Sequence, residues 1–179
     1  GYVICRHPGE IAEKASKFSQ EVSEIVPSLI FTPQHIHTTI SVIPENIVFN
    51  DTVLEKLIQV IDGVRPKISP FEINFTKWAV NQNSVIAQGY SDKMFFNIAD
   101  LIVNEARKMS IELKYPRMSH VTITRFLEPT KEQSKLEKLI KLVDKTEPLG
   151  ISKISTLEVG FVDYREGRFD LIPDRTINI

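Results

Sequence analysis

Two short segments carry residues suited to acid–base chemistry: His37-Thr38-Thr39-Ile40 and His120-Val121-Thr122-Ile123. Residues two apart on a strand share a face, so His37 falls beside Thr39 and His120 beside Thr122. Each pair joins an imidazole that exchanges a proton near neutral pH to a hydroxyl that can donate to a phosphate oxygen. Two such pairs meeting at one phosphate form a complete catalytic set. One imidazole deprotonates the attacking water or hydroxyl and the other protonates the leaving oxygen. The hydroxyls hold the non-bridging oxygens as charge builds. This chemistry requires no metal and no other cofactor.

A Ser or Thr two places after a His is common, so the motif alone says little. Its placement says more. Each copy lies in a strand-like run that follows an amphipathic helix, and the copies are 83 residues apart (120 − 37) in a chain of 179. Before the first, Ile11, Ala15, Phe18, Val22 and Ile25 recur at spacings of 4, 3, 4 and 3, one buried helical stripe. Before the second, Phe96, Ala99, Val103 and Ala106 mark a helix over about Lys93–Leu113, with Asp92 as its cap. Tyr2–Arg6, ending at Pro8-Gly9, reads as a strand, and His7 as a turn residue. Asp51 caps a helix carrying Val53, Leu54, Leu57, Ile58 and Ile61. Phe71 to Val80 and Ser84 to Tyr90 form a hairpin around Asn81-Gln82-Asn83. A further helix opens at Pro129-Thr130. Ile154 to Tyr164 is strand-like, and Arg165 to Arg168 turns the chain into a last strand. The order divides into two similar halves of an α+β fold, mostly antiparallel sheets with helices on their outer faces. A single domain, 1-179, is expected.

Composition narrows the partner. Hydrophobic residues are 42% and charged residues 25%, with a net charge of −1 from 22 basic and 23 acidic side chains. A protein that tracks long nucleic acid is usually more basic, so a small nucleotide or a strand end fits better than a long polymer. Cys5 is the only cysteine and sits in an apolar run, which suits a reducing, cytoplasmic setting and a packing role. No apolar run approaches the roughly 20 residues that span a bilayer, so no membrane association is expected. A monomer is expected.

Other residues near the motifs have competing readings. Strict alternation from His120 puts Thr122, Thr124 and Phe126 on the cleft face and Arg125 on the other. Only a bulge or a strand end brings Arg125 inward, where its guanidinium could clamp a phosphate. Phe126 is then a candidate for stacking a base, with Trp78, Tyr90 and Tyr164 as further aromatics. His35 and His37 share a strand face on this reading, which allows a zinc site completed by His120. No metal-binding spacing supports that site, and His35 reads instead as a rim or hydrogen-bonded residue beside the substrate.

With two H-x-[ST]-x motifs and Arg125 after the second, the chain resembles the two-histidine (2H) phosphoesterase superfamily. That group includes the 2′-5′ RNA ligase-like proteins, the 2′,3′-cyclic nucleotide phosphodiesterases and the 2′-5′ phosphodiesterases. The ligase-like branch often has Pro before the second His, where this chain has Ser119. The resemblance implies two pseudo-symmetric lobes around a central cleft, one motif in each. It implies metal-independent hydrolysis of a 2′,3′-cyclic phosphate or 2′-5′ linkage, with His37 as general acid and His120 as general base. The substrate would be an RNA end, an oligonucleotide or a cyclic nucleotide. Two readings compete: hydrolysis of cyclic nucleotide or oligonucleotide signals, and a nucleotide- or RNA-binding module without turnover.

Overall fold

The computed structural model describes all residues except Pro8, Asp92, Thr130, Glu166 and Gly167, together with the side chains of all but these and Ser91, Tyr164, Arg165 and Arg168. The expected turn at Pro8, cap at Asp92, helix start at Thr130, turn at Glu166-Gly167 and ring of Tyr164 therefore lie outside the described residues.

Among the described residues four helices and nine strands alternate along the chain: β1 (Tyr2–Arg6), α1 (Gly9–Ser23), β2 (Ser28–Ile30), β3 (His37–Val42), α2 (Asp51–Val64), β4 (Phe71–Val80), β5 (Ser84–Ser91), α3 (Lys93–Lys108), β6 (His120–Phe126), α4 (Gln133–Lys145), β7 (Gly150–Ile154), β8 (Thr156–Arg165) and β9 (Arg168–Asn178). The strands join in one curled sheet of order β7-β4-β5-β6-β3-β1-β8-β9, with β2 added beside β6. Every ladder is antiparallel. The order falls into two quartets, β7-β4-β5-β6 and β3-β1-β8-β9. The two histidine strands meet at the seam between them.

Apolar periodicity decides which sheet face is dry. Val3, Cys5, Ile40, Val121 and Ile123 join the helix stripes of α1, α2 and α3 in one buried cluster. Their strand neighbours Arg6, His37, Thr39, His120 and Thr122 alternate with them and take the opposite face. Cys5 fills space in the core, and its thiol donates to the Thr38 carbonyl (3.6 Å). Burial pushes that thiol up to about 12.

Several boundaries differ from the sequence reading. Asn50, not Asp51, caps α2: its side chain accepts from the Val53 amide (3.0 Å). Helix α3 stops at Lys108 rather than near Leu113, because Ser110 turns left-handed (φ 59°) and the chain leaves to form a bridge between Lys114 and Val42. The strand expected from Ile154 to Tyr164 is found as β8, while Ile154 itself ends a separate strand, β7, near the other end of the sheet order. The hairpin over Phe71–Val80 and Ser84–Ser91 is found, its turn held by the Asn81 side chain accepting from the Asn83 and Ser84 amides. Among the described residues no helix is long and apolar enough to cross a membrane.

Candidate active site

The register across the seam interlocks the two motifs. Thr38 of β3 pairs with Val121 of β6. Continued one residue each way, that antiparallel register sets His37 opposite Thr122 and Thr39 opposite His120. On the flanks, Arg6 pairs with His37 and Ile4 with Thr39, while Ile86 pairs with Thr122 and Gln88 with His120. The open face thus carries two rows, Gln88-His120-Thr39-Ile4 and Ile86-Thr122-His37-Arg6. A half-turn about the seam exchanges them. The two imidazoles are diagonal neighbours, roughly 7 Å apart at the backbone, a spacing that lets one phosphate reach both.

The rings are oriented alike. His37 Nδ1 donates to the His35 carbonyl (2.6 Å), and His120 Nδ1 donates, over a longer 3.4 Å, to the Met118 carbonyl. In each case the acceptor is two residues back. A carbonyl can only accept, so the proton sits on Nδ1 and the neutral ring presents Nε2 as a base. The electrostatics oppose protonation. Burial, reinforced by Arg6, His120 and Arg125, holds His37 down to about 4, against the pull of the His35 carbonyl. His120 is lowered too, by burial and then Arg125, with the Met118 carbonyl working the other way. Both effects are what an anion would relieve.

Arg125 reaches the open face through a bulge. Ile86 pairs with Thr122 but Val85 pairs with Thr124, so Ile123 is an extra residue and the alternation inverts after it. Thr124 and Phe126 turn into the core, while Arg125 is exposed opposite Ser84. The Thr124 hydroxyl confirms the turn by donating to the Leu29 carbonyl of β2. The expectation for Phe126 on the cleft face is therefore corrected: the ring belongs to the hydrophobic core. No carboxylate among the described residues pairs with Arg125, whereas Arg6 is held by Glu158 (2.7 Å).

For His35 the hydrogen-bonded reading holds and the shared strand face does not. It ends a 3-10 turn, Pro33–His35, instead of sharing a strand face with His37. Its Nδ1 accepts from the Thr32 amide (3.2 Å), its Nε2 lies 3.6 Å from Asp170, and its ring contacts Phe31 and Phe169. The imidazole does not converge with His37 and His120, and only the His35 carbonyl serves the site. Trp78 faces elsewhere, packed on Phe18 and donating to the Thr146 carbonyl.

One residue beneath the site was not anticipated in this role. His7 is buried under β3: its Nε2 pairs with the Thr38 hydroxyl (2.9 Å) and its Nδ1 with the Ser152 hydroxyl (2.7 Å), and its ring meets Phe75 edge-on. Burial, then His37, pushes it down to about 3, so it stays neutral and braces the motif strand. A hollow of about 670 Å³ lined by Pro27, Leu127, Glu128 and Lys131 lies past the end of β6 and contains no motif residue. Its titratable groups are surface carboxylates and lysines, Glu132 already paired with Lys135 (2.9 Å), and the chemistry is assigned to the histidine rows.

The fold belongs to a known class, the LigT-like 2H phosphoesterase fold. The structure of TT0787 from Thermus thermophilus is similar over 99% of this chain and 96% of its own, with a TM-score of 0.74 and 12% identity. E. coli LigT complexed with 3′-AMP is similar over the same shares, with a TM-score of 0.73 and 12% identity. The MHV ns2 PDE domain is similar over 96% of this chain and 98% of its own, with a TM-score of 0.57 and 11% identity. No protein-family model matches the sequence, and no curated protein matches it.

Proposed function

We propose that this protein is a phosphodiesterase that hydrolyses nucleotide or RNA phosphodiesters, a 2′,3′-cyclic phosphate or a 2′-5′ linkage, by metal-independent two-histidine catalysis. The observation that carries the reading is the interlocked pair of rows, with two imidazoles tied by Nδ1 to the backbone and two threonine hydroxyls between them. A packing role for these histidines would not call for matched ring orientation on an undried face. The likeness in fold to LigT, whose structures include complexes with 3′-AMP and ATP, supports a nucleotide substrate.

In this mechanism Arg125 and the hydroxyls of Thr39 and Thr122 donate to the non-bridging oxygens and offset the growing charge. His37 protonates the leaving oxygen and His120 takes the proton of the attacking water, the order the family resemblance implies. The anionic phosphate, gripped by Arg125, raises both imidazoles from the lowered values they hold without it.

The test is incubation with 2′,3′-cyclic nucleotides, 2′-5′ oligoadenylate and cyclic dinucleotides, with and without a chelator. Cleavage of one of the first two, unchanged by chelator, is expected. His37→Ala and His120→Ala should each lower kcat by about 10²- to 10⁴-fold while circular dichroism shows an intact fold. Near-normal turnover by either variant, or cleavage abolished by chelator, overturns the proposal.

A further inference from the structure

The open face is covered along part of β1. The alternation that turns Arg6 to that face turns Ile4 and Tyr2 to it as well. Both are nevertheless buried, at 1% exposure, and neither joins the core cluster that takes Val3 and Cys5. The register of the neighbouring ladder shows what lies over them. Tyr2 pairs with Gly160 of β8 and with Val42 of β3. Phe169 pairs with Tyr164, four residues past Gly160, so a straight ladder would carry it away beyond the Val42 end of β3. His35 lies past the other end of β3, which would put the two residues roughly 30 Å apart. Their rings are instead 5.3 Å apart. The far half of the β8–β9 ladder therefore folds back across β1. It bends where its register slips, between Val159 and Gly160. A Cβ at Gly160 would strike the Ile172 carbonyl oxygen of β9 and stand 2.8 Å from the Tyr2 hydroxyl, so that corner requires glycine.

The folded-back end meets the turn that feeds the first motif. The Phe169 ring lies against Phe31 (4.8 Å) and His35 (5.3 Å). From beneath, the same turn is held by Phe31, whose amide donates to the Ser19 hydroxyl of α1 (2.8 Å), and by the Thr32 amide donating to His35 Nδ1. The His35 carbonyl leaves this turn to accept from His37 Nδ1 at 2.6 Å. Across the seam, the Met118 carbonyl is 3.4 Å from His120 Nδ1, and Met118 is 37% exposed. The imidazole whose acceptor is clamped is the one with the shorter bond.

We propose that Phe169 is a positioning residue for the reaction: through its ring contact with His35 the folded-back end of β9 clamps the 3-10 turn, and the turn's carbonyl fixes the direction of the His37 imidazole. The inference rests on the phosphodiesterase reading and adds the part of the fold that keeps one imidazole aimed. A carbonyl two residues back directs the ring only while the turn cannot rock. A displacement of about 1 Å at a reacting group costs about 10²-fold in rate. The phosphate is gripped by Arg125, Thr39 and Thr122, which stand on the strands and not on the turn, so the clamp acts on kcat and spares KM.

Two variants release the clamp from different points on the ladder. Phe169→Ala removes the ring, and Gly160→Ala obstructs the bend. Each should lower kcat on adenosine 2′,3′-cyclic phosphate or 2′-5′ oligoadenylate about 10- to 100-fold and leave KM within about twofold of wild type, while Phe169→Tyr retains kcat. The readout that a general loss of packing would not move is the His37 Nδ1 proton itself. Held by a carbonyl, it gives a slowly exchanging imidazole resonance, assigned by its absence from His37→Ala. Proton NMR of the full chain should show that resonance in wild type and Phe169→Tyr. It should be lost to exchange in Phe169→Ala and Gly160→Ala while the amide spectrum stays that of the folded protein. Unchanged kcat in Phe169→Ala, or a fall in kcat with the resonance still protected, overturns the clamp and leaves the phosphodiesterase reading standing. Absence of turnover by the wild type overturns the phosphodiesterase reading, and the resonance then decides the clamp: its survival in Phe169→Ala overturns that too.

Discussion

Acid should destabilise this protein more steeply than carboxylate titration alone explains, and His7 should account for a measurable share. His7 and His37 sit at about 3 and about 4 in the folded protein, lowered chiefly by burial. In the unfolded chain both return to about 6.5. A lowered folded value means that the unfolded state binds the proton more readily. Each histidine therefore adds stability that is fully present above about pH 6.5 and is lost as the pH falls from there toward the folded value. Between pH 7 and pH 5 the unfolded imidazole goes from about one-quarter to nearly fully protonated, while the folded one stays mostly neutral. Integrating over that interval gives a loss of about 2 kcal/mol for each histidine, about 4 kcal/mol for the two. Against a typical total of about 5–15 kcal/mol this is large.

His7→Gln removes one of the two titrating groups and leaves an amide that can donate to one hydroxyl and accept from the other. The assay is urea unfolding at 25 °C at pH 7 and pH 5, for wild type and variant, with stability taken from the linear extrapolation. Carboxylate effects are common to both proteins and cancel in the comparison. The variant should lose about 2 kcal/mol less than wild type between the two pH values, whatever its stability at pH 7. Equal losses would show that His7 takes up a proton in the folded protein as readily as in the unfolded chain, and the buried brace described here would be wrong.

Two further outcomes follow from the cleft. Arg125→Ala should raise KM for a phosphodiester about tenfold or more with little change in melting temperature, whereas Phe126→Ala should cost about 3–5 kcal/mol of stability and leave KM near wild type; the opposite pattern would return Phe126 to the cleft. A nucleoside substrate with sulfur in place of the leaving oxygen needs no proton on departure, so it should restore activity to His37→Ala and not to His120→Ala, and restoration of His120→Ala instead would reverse the two roles.

Much of the site was legible because side-chain chemistry and strand period are local properties. The pairs His37–Thr39 and His120–Thr122 needed only a period of two, and their meeting needed only that the two strands be neighbours. The brace at His7 was not legible, since its partners Thr38 and Ser152 lie 31 and 145 residues away and nothing local marks them. His35 misled for the opposite reason: it lies close to His37 in sequence, but Pro33 favours a tight turn, and the strand begins only at His37. Phe126 was assigned to the wrong face because alternation was carried past the bulge, the same device that the expectation for Arg125 required. The signal was present in the apolar spacing, Val121 to Ile123 by two and Ile123 to Phe126 by three. A step of three within a strand is what one extra residue produces.

The bulge also shows how far the internal symmetry extends. In β3 the register slips at Ile40, since Val3 pairs with Ser41 and Ile4 with Thr39; in β6 it slips at Ile123. Each slip falls three residues after its histidine, and each turns the residue five places after that histidine onto the open face. Those residues are Val42 and Arg125, so the backbone offers two equivalent positions and only one carries a cation. One guanidinium is enough to grip a single phosphate. A second at position 42 would further disfavour a proton on imidazoles already held below their ordinary range, and the reaction needs one of them protonated when the leaving oxygen departs. The duplicated strands supply the matched imidazoles and hydroxyls. The departures from duplication, Arg125 without a counterpart and Gln88 opposite His120 where Arg6 stands opposite His37, make the two sides of the cleft unequal.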